Sequence, residues 1–236
     1  MDKLIYRSAH HGCINHENQL APTLELFAKY PEVGLVEIDF IHYNGKFISS
    51  HDYEEESIAL GSTLEQWIEH IISLDKMLWV DIKDTTLSII SSQFSEFDVN
   101  CFYKHLIELE IKFPTIKKHI LLSCQYMNTY ENLVKLNPGY TIIYDMPKDY
   151  SYVLDRGLPL SFIKDIVHYA TLCHLEGVDD IVCIDKSFFV DADELSNFIQ
   201  QLTSKVIIVY SYELNETNLP IVNGKHIIYQ YNYTFH

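Results

Sequence analysis

Leu35-Val36-Glu37-Ile38-Asp39-Phe40 is the stretch on which the fold turns. Its apolar residues mark an extended run, and its two carboxylates stand two positions apart, so in a strand Glu37 and Asp39 share one face. The pattern returns at Met77 to Ile82, continued by Lys83, where Asp81 and Lys83 again fall on a common face. Working outward, six further β-rich runs appear: Leu4 to Ala9, His119 to Ser123, Thr141 to Tyr144, Asp180 to Ile184, Lys205 to Tyr210 and His226 to Gln230. They are rich in continuous Val, Ile and Leu, which is the pattern expected when helices cover a parallel sheet.

Between these runs lie stretches with helical spacing: Gln19 to Lys29, Leu64 to Ser73, Phe102 to Lys112, Leu160 to Leu175 and Ala192 to Leu202. Eight strands alternating with helices predict an α/β fold of the (β/α)8 TIM-barrel class, with residues 1–236 forming a single domain, a normal length for that architecture. A doubly wound open sheet is the alternative, but it is usually announced by a glycine-rich turn after the first strand, and Gly12 stands alone there. One excursion interrupts the alternation. From Tyr43 to Asp52, Asn44-Gly45 makes a turn and Lys46 to Ser49 resumes extended structure. In a barrel the active site gathers at the C-terminal ends of the strands, so residues that end the runs are the first candidates for chemistry.

The formal charge of −16 and the lack of any lysine and arginine stripe argue against a nucleic-acid groove or an anionic membrane surface. A small anionic substrate stays compatible if a bound cation reverses the local potential. Five widely spaced cysteines without a CxxC pair fit a reducing compartment, and no segment approaches the roughly 18 apolar residues of a membrane span, so a soluble cytoplasmic protein is expected.

The first run leads into His10-His11-Gly12, the second carries Glu37 and Asp39, the excursion ends in His51-Asp52 and the third run ends in Asp81 and Lys83. Inward carboxylates in an apolar barrel need a compensating cation, a metal or a network of donors. A hard, oxygen-preferring ion such as Mg²⁺ or Ca²⁺ fits Glu37, Asp39 and Asp81. With twelve histidines in the chain most are packing or surface residues, but His10 and His51 each end a strand-like run and can serve as acid and base near neutral pH. His10 and His11, being adjacent, are expected to point to opposite faces.

The order Ala9-His10-His11-Gly12, Glu17-Asn18, Val36-Glu37-Ile38-Asp39, Ser50-His51-Asp52, Val80-Asp81-Ile82-Lys83 resembles the glycerophosphodiester phosphodiesterase family, within the phospholipase C-like phosphodiesterases. The resemblance is specific from Tyr6 to Lys83 and looser beyond, where Leu122-Ser123 and Tyr210-Ser211 fall at comparable places. It implies a TIM barrel that hydrolyses a small or lipid-derived phosphodiester with a divalent metal. It implies His10 and His51 as catalytic residues and Glu37, Asp39 and Asp81 as ligands of Mg²⁺ or Ca²⁺, with Mn²⁺ a further option. Lys83 and His11 would meet the phosphate, while Glu17, Ser123 and Tyr210 complete the substrate site.

Two departures qualify that expectation. His11 stands where the family carries an arginine, and histidine has neither its permanent charge nor its bidentate fork. Only about eleven residues separate His51 from Thr63, where family members insert a small subdomain over the glycerol end. Phospholipase D-type and sphingomyelinase D-type barrels lack that insertion too, so the reaction class is implied more firmly than the substrate. A catalytically silent barrel that binds a phosphorylated ligand or partner is the rival reading.

Overall fold

The computed structural model describes residues 5–13, 16–51, 53–88, 93–96, 98–124, 127–136, 139–144, 181–185, 192–201, 206–210 and 226–233. The chain divides into two compact units, residues 8–143 with 232–236, and residues 1–7 with 144–231.

In the first unit the strands stand in the order β8 (Thr141–Tyr144), β7 (Ile120–Cys124), β5 (Met77–Ser88), β3 (Val33–Tyr43), β1 (Ile5–Cys13). Strands β3, β5 and β7 are mutually parallel. Between them run α1 (Leu20–Lys29), α3 (Leu64–Ser73), α4 (Val99–Lys112) and α5 (Met127–Leu136). All but two residues of β3 are buried, which is why its apolar positions do not alternate cleanly with polar ones.

Helix α3 illustrates the local logic. Leu64, Trp67, Ile68 and Ile71 form one buried stripe. Thr63 and Gln66 close a reciprocal capping box at its start. Helix α4 begins at Val99, three residues before the expected Phe102, because the Asp98 carboxylate accepts from the Asn100 and Cys101 amides.

Three short antiparallel strands decorate this unit: β2 (His16–Glu17) on β1, β4 (Lys46–Ser49) on β3, and β6 (Gln93–Glu96) on β5. The β3–β4 hairpin is the excursion expected at Asn44-Gly45. After β4 comes the short α2 (Glu55–Leu60), then Gly61, whose hypothetical Cβ would run into the Ser49 carbonyl oxygen and the Ile48 side chain.

In the second unit β10 (Val206–Tyr210) lies parallel to both β9 (Ile181–Asp185) and β11 (His226–Tyr233). Helix α6 (Ala192–Gln201) connects β9 to β10 and buries Leu195 and Ile199. All eight strand runs expected from the sequence are strands. The helix expected at Leu160 to Leu175, and Asp52, lie outside the described residues. Among the described residues no helix is long and apolar enough to cross a membrane.

Candidate functional site

Strand register builds the site. Asp39 of β3 pairs with Asp81 of β5, and Asp81 pairs with Ser123 of β7, so three polar residues form a row across adjacent parallel strands. Glu37 stands one step below on the same face of β3, opposite Trp79. Glu37, Asp39, Asp81 and Ser123 are all buried. Oxygens of the three carboxylates lie within 4.8 Å of one another. Ligands bonded at about 2.0–2.6 Å to one ion can be no farther apart than roughly 4–5 Å, so the set fits a hard divalent cation.

Each carboxylate is held by a named neighbour. Ser123 donates to Asp81 Oδ1 at 2.6 Å and itself accepts from Trp79 Nε1 at 2.6 Å, which spends its hydroxyl on orienting Asp81. Asn18 donates to Asp39 Oδ2 at 3.1 Å and accepts from the Asp39 amide at 2.9 Å, tying the segment between β2 and α1 to β3. Glu37 Oε2 accepts from the His11 amide at 2.9 Å. The Glu17-Asn18 motif alone gives Asn18 no role; its burial, at 2% exposure, and its two bonds to Asp39 do.

Lys83 lies among the acids. Its Nζ is 2.7 Å from Asp81 Oδ2 and 2.6 Å from Asp39 Oδ1, the latter an ion pair outside the angular range of a hydrogen bond. An ammonium has three donor directions, and these carboxylates take two of its contacts. Burial alone would lower the Lys83 pKa, but Asp81, Asp39 and Glu37 together hold it well above the ordinary lysine range. Burial pushes Asp39 up, yet the charges of Lys83 and His11 and the hydrogen bond from Asn18 prevail and leave it at about 2. Asp81 is raised by burial, with Asp39 adding to the shift against Lys83 and Ser123. Glu37 is raised well above the carboxylate range by burial, then by Asp39 and Asp81. One lysine does not neutralise three buried acids, and burial together with the excess negative charge favours the protonated form of Glu37.

The two adjacent histidines depart from expectation. They do not point to opposite faces: the ring centroids are 3.8 Å apart, and His10 Nε2 and His11 Nε2 lie 4.0 and 3.9 Å from the same Glu37 oxygen. The alternation fails because His11 has φ of 51°, and Gly12 follows at 72°, so the backbone leaves the extended region as the strand enters its hairpin with β2. A Cβ on Gly12 would also strike the Thr23 hydroxyl. Burial lowers the His11 pKa to about 4, against the pull of Asp39.

His51 is exposed, with its ring centroid 5.4 Å from that of His11. The strap that carries it is fixed by Ser50 N–H donating to the Asp39 carbonyl at 3.0 Å and by Ser49 Oγ donating to the Asn18 carbonyl at 2.7 Å. Glu17 Oε2 approaches His11 Nδ1 at 3.6 Å. Tyr210 ends β10, and its side chain lies outside the described set. Of the histidines left as packing residues, His42 stacks on Phe47 at 4.6 Å and His119 Nδ1 meets the Lys76 carbonyl at 2.8 Å.

No family model and no curated protein matches the chain. Solved structures do. A glycerophosphodiester phosphodiesterase from Agrobacterium tumefaciens superposes with a TM-score of 0.62 at 10% identity, over 97% of each chain. An Oleispira antarctica phosphodiesterase, crystallised with the product sn-glycerol-3-phosphate, superposes with a TM-score of 0.56 at 18% identity, over 95% of this chain and 92% of that one. This chain therefore has the α/β fold of those phosphodiesterases, the TIM-barrel class expected from its strand pattern.

Proposed function

We propose that the protein is a metal-dependent phosphodiester hydrolase acting on a glycerophosphodiester or a related small or lipid-derived diester. The observation that carries this reading is the row of Asp39, Asp81 and Glu37 oxygens within 4.8 Å of one another, bordered by His10, His11 and Lys83, on a fold shared with phosphodiesterases. The Oleispira antarctica enzyme of this fold holds sn-glycerol-3-phosphate, which makes a glycerol-bearing diester the first substrate to try.

Glu37, Asp39 and Asp81 would hold the cation, which when bound would neutralise charge that grows on the phosphoryl oxygens. Ser123 and Asn18 keep two of these acids in place, and Lys83 adds positive charge beside them. Of His10 and His51, one takes a proton from the nucleophile as its oxygen bonds to phosphorus. The other gives a proton to the alkoxide oxygen as the ester P–O bond breaks, since an unprotonated alkoxide leaves poorly. The nucleophile is water, or a neighbouring substrate hydroxyl that yields a cyclic phosphate.

The test is hydrolysis of bis(p-nitrophenyl) phosphate and glycerophosphocholine with Mg²⁺, Ca²⁺ or Mn²⁺ and with excess chelator. Activity should require the ion. His10→Ala and His51→Ala should each lower kcat by at least about 10²-fold, and the double variant should lose much less than the product of the two. Full turnover in chelator would remove the metal from the scheme. Silence toward a broad panel of diesters and ions would favour a binding module instead.

A further inference from the structure

Resting on the carboxylate site just proposed, we propose that His11 is itself a ligand of that metal, through Nε2, and that the site therefore takes a borderline transition ion such as Co²⁺ or Zn²⁺ in preference to Mg²⁺ or Ca²⁺. The positive φ of His11 swings its ring over the carboxylates, with Nε2 3.5 Å from Asp39 Oδ2 and 3.9 Å from Glu37 Oε2. Both distances are too long for a good hydrogen bond. The shorter is close to the spacing of two ligands on one ion, since bonds of about 2.1 Å at octahedral or tetrahedral angles set neighbouring donors roughly 3.0–3.4 Å apart. His10, His11 and Glu37 offer donor atoms within 4.8 Å of one another, as do Glu37, Asp39 and Asp81, and Glu37 is the member common to both groups.

The far side of the ring has the matching arrangement. His11 Nδ1 faces Glu17 Oε2 at 3.6 Å, and a carboxylate behind a ligating imidazole fixes its tautomer and raises its basicity. Only 14% of the His11 side chain is exposed, so the ring has little freedom to swing away. A histidine in place of a phosphate-gripping arginine thus gains a role that arginine cannot fill. It adds a nitrogen donor to an all-oxygen site, and imidazole shifts selectivity toward borderline ions such as Zn²⁺ and Co²⁺.

Chelator-treated full-length protein titrated with Co²⁺ and separately with Mg²⁺ tests this by affinity. The variant of choice is His11→Asn, because asparagine tolerates the left-handed backbone. It should weaken Co²⁺ binding by at least about tenfold and Mg²⁺ binding by less than about twofold, and Glu17→Gln should weaken Co²⁺ by about tenfold. Independently of any variant, the wild-type protein loaded with Mn²⁺ should show imidazole nitrogen couplings in pulsed electron paramagnetic resonance. Absence of those couplings, or equal loss of both ions in His11→Asn, overturns the inference. If both ions bind and both are lost in Glu37→Gln while His11→Asn changes neither, only the histidine arm fails. If neither ion binds the wild-type protein, the carboxylate reading falls with it.

Discussion

Glu37 is the residue at which charge balance is decided. Its folded pKa is raised well above 4.5, so folded protein keeps a proton there that an unfolded glutamate has lost, a contribution to stability present at low pH and lost as pH rises through the folded value. His11 runs the other way: its folded pKa of about 4 lies below 6.5, so its contribution is present above pH 6.5 and lost as pH falls through about 4. A cation that binds Glu37 competes with the proton that burial favours there, so affinity should rise with pH and binding should release protons. Calorimetric titrations in two buffers of different ionisation enthalpy measure that release directly, and Glu37→Gln should abolish it. An affinity independent of pH would show that Glu37 is already ionised. Lys83 gives a second measurement. Lys83→Met strands Asp39 and Asp81, and breaking such a buried pair costs about 3–5 kcal/mol. In urea titrations the loss should be of that order in chelator and clearly smaller with saturating Mn²⁺, because the ion takes over the neutralisation. An equal loss in both conditions would place the cation elsewhere.

Elements differ in how openly the sequence announces them. Gly61 and Asp98 make the contrast measurable, because one braces the strap to His51 and the other only caps a helix. Gly61→Ala forces the Ser49 carbonyl to move, costing about 1–3 kcal/mol as overpacking, and it should lower kcat as well because Ser62 N–H donates to Ser49 Oγ within that strap. Asp98→Ala should cost about 1 kcal/mol in thermal melts and leave turnover unchanged. Loss of activity in the second, or its retention in the first with the fold intact, would contradict this division. The strands were legible because β3, β5 and β7 are buried and apolar, and period two placed Glu37 and Asp39 on one face, to which the pairing of β3 with β5 brings Asp81. Period two was also what failed at His11, since it assumes extended backbone and the turn toward β2 begins one residue before the glycine that hints at it. The start of α4 was misplaced because Asp98 acts through a cap and not through apolar spacing. Nothing local in Lys83 says that it lies between two acids; that follows from the pairing of Asp39 with Asp81, a long-range fact.

At the scale of the whole chain, the boundaries between the two compact units fall after residues 7, 143 and 231, inside β1, β8 and β11. A boundary within a strand is not a linker, and domains are normally joined through exposed segments that few contacts cross. We therefore propose that residues 1–236 unfold as one cooperative domain. The sequence supplies a convenient reporter, since it holds only two tryptophans and both Trp67 and Trp79 are in the 8–143 unit. Tryptophan fluorescence thus follows that unit alone, while far-ultraviolet circular dichroism follows every helix and strand, including β9, α6, β10 and β11. For one domain the two urea transitions should coincide, as two-state unfolding requires. The metal sharpens the comparison, because Glu37, Asp39 and Asp81 all lie in the 8–143 unit as well. An ion at about 100 times its Kd stabilises the state that binds it by about 2.7 kcal/mol, and in a cooperative chain that gain is felt everywhere. Saturating Mn²⁺ should consequently move the fluorescence and dichroism midpoints upward together. A dichroism transition that splits, with one part unmoved by the ion, would mean that 144–231 unfolds on its own and that the chain is two domains.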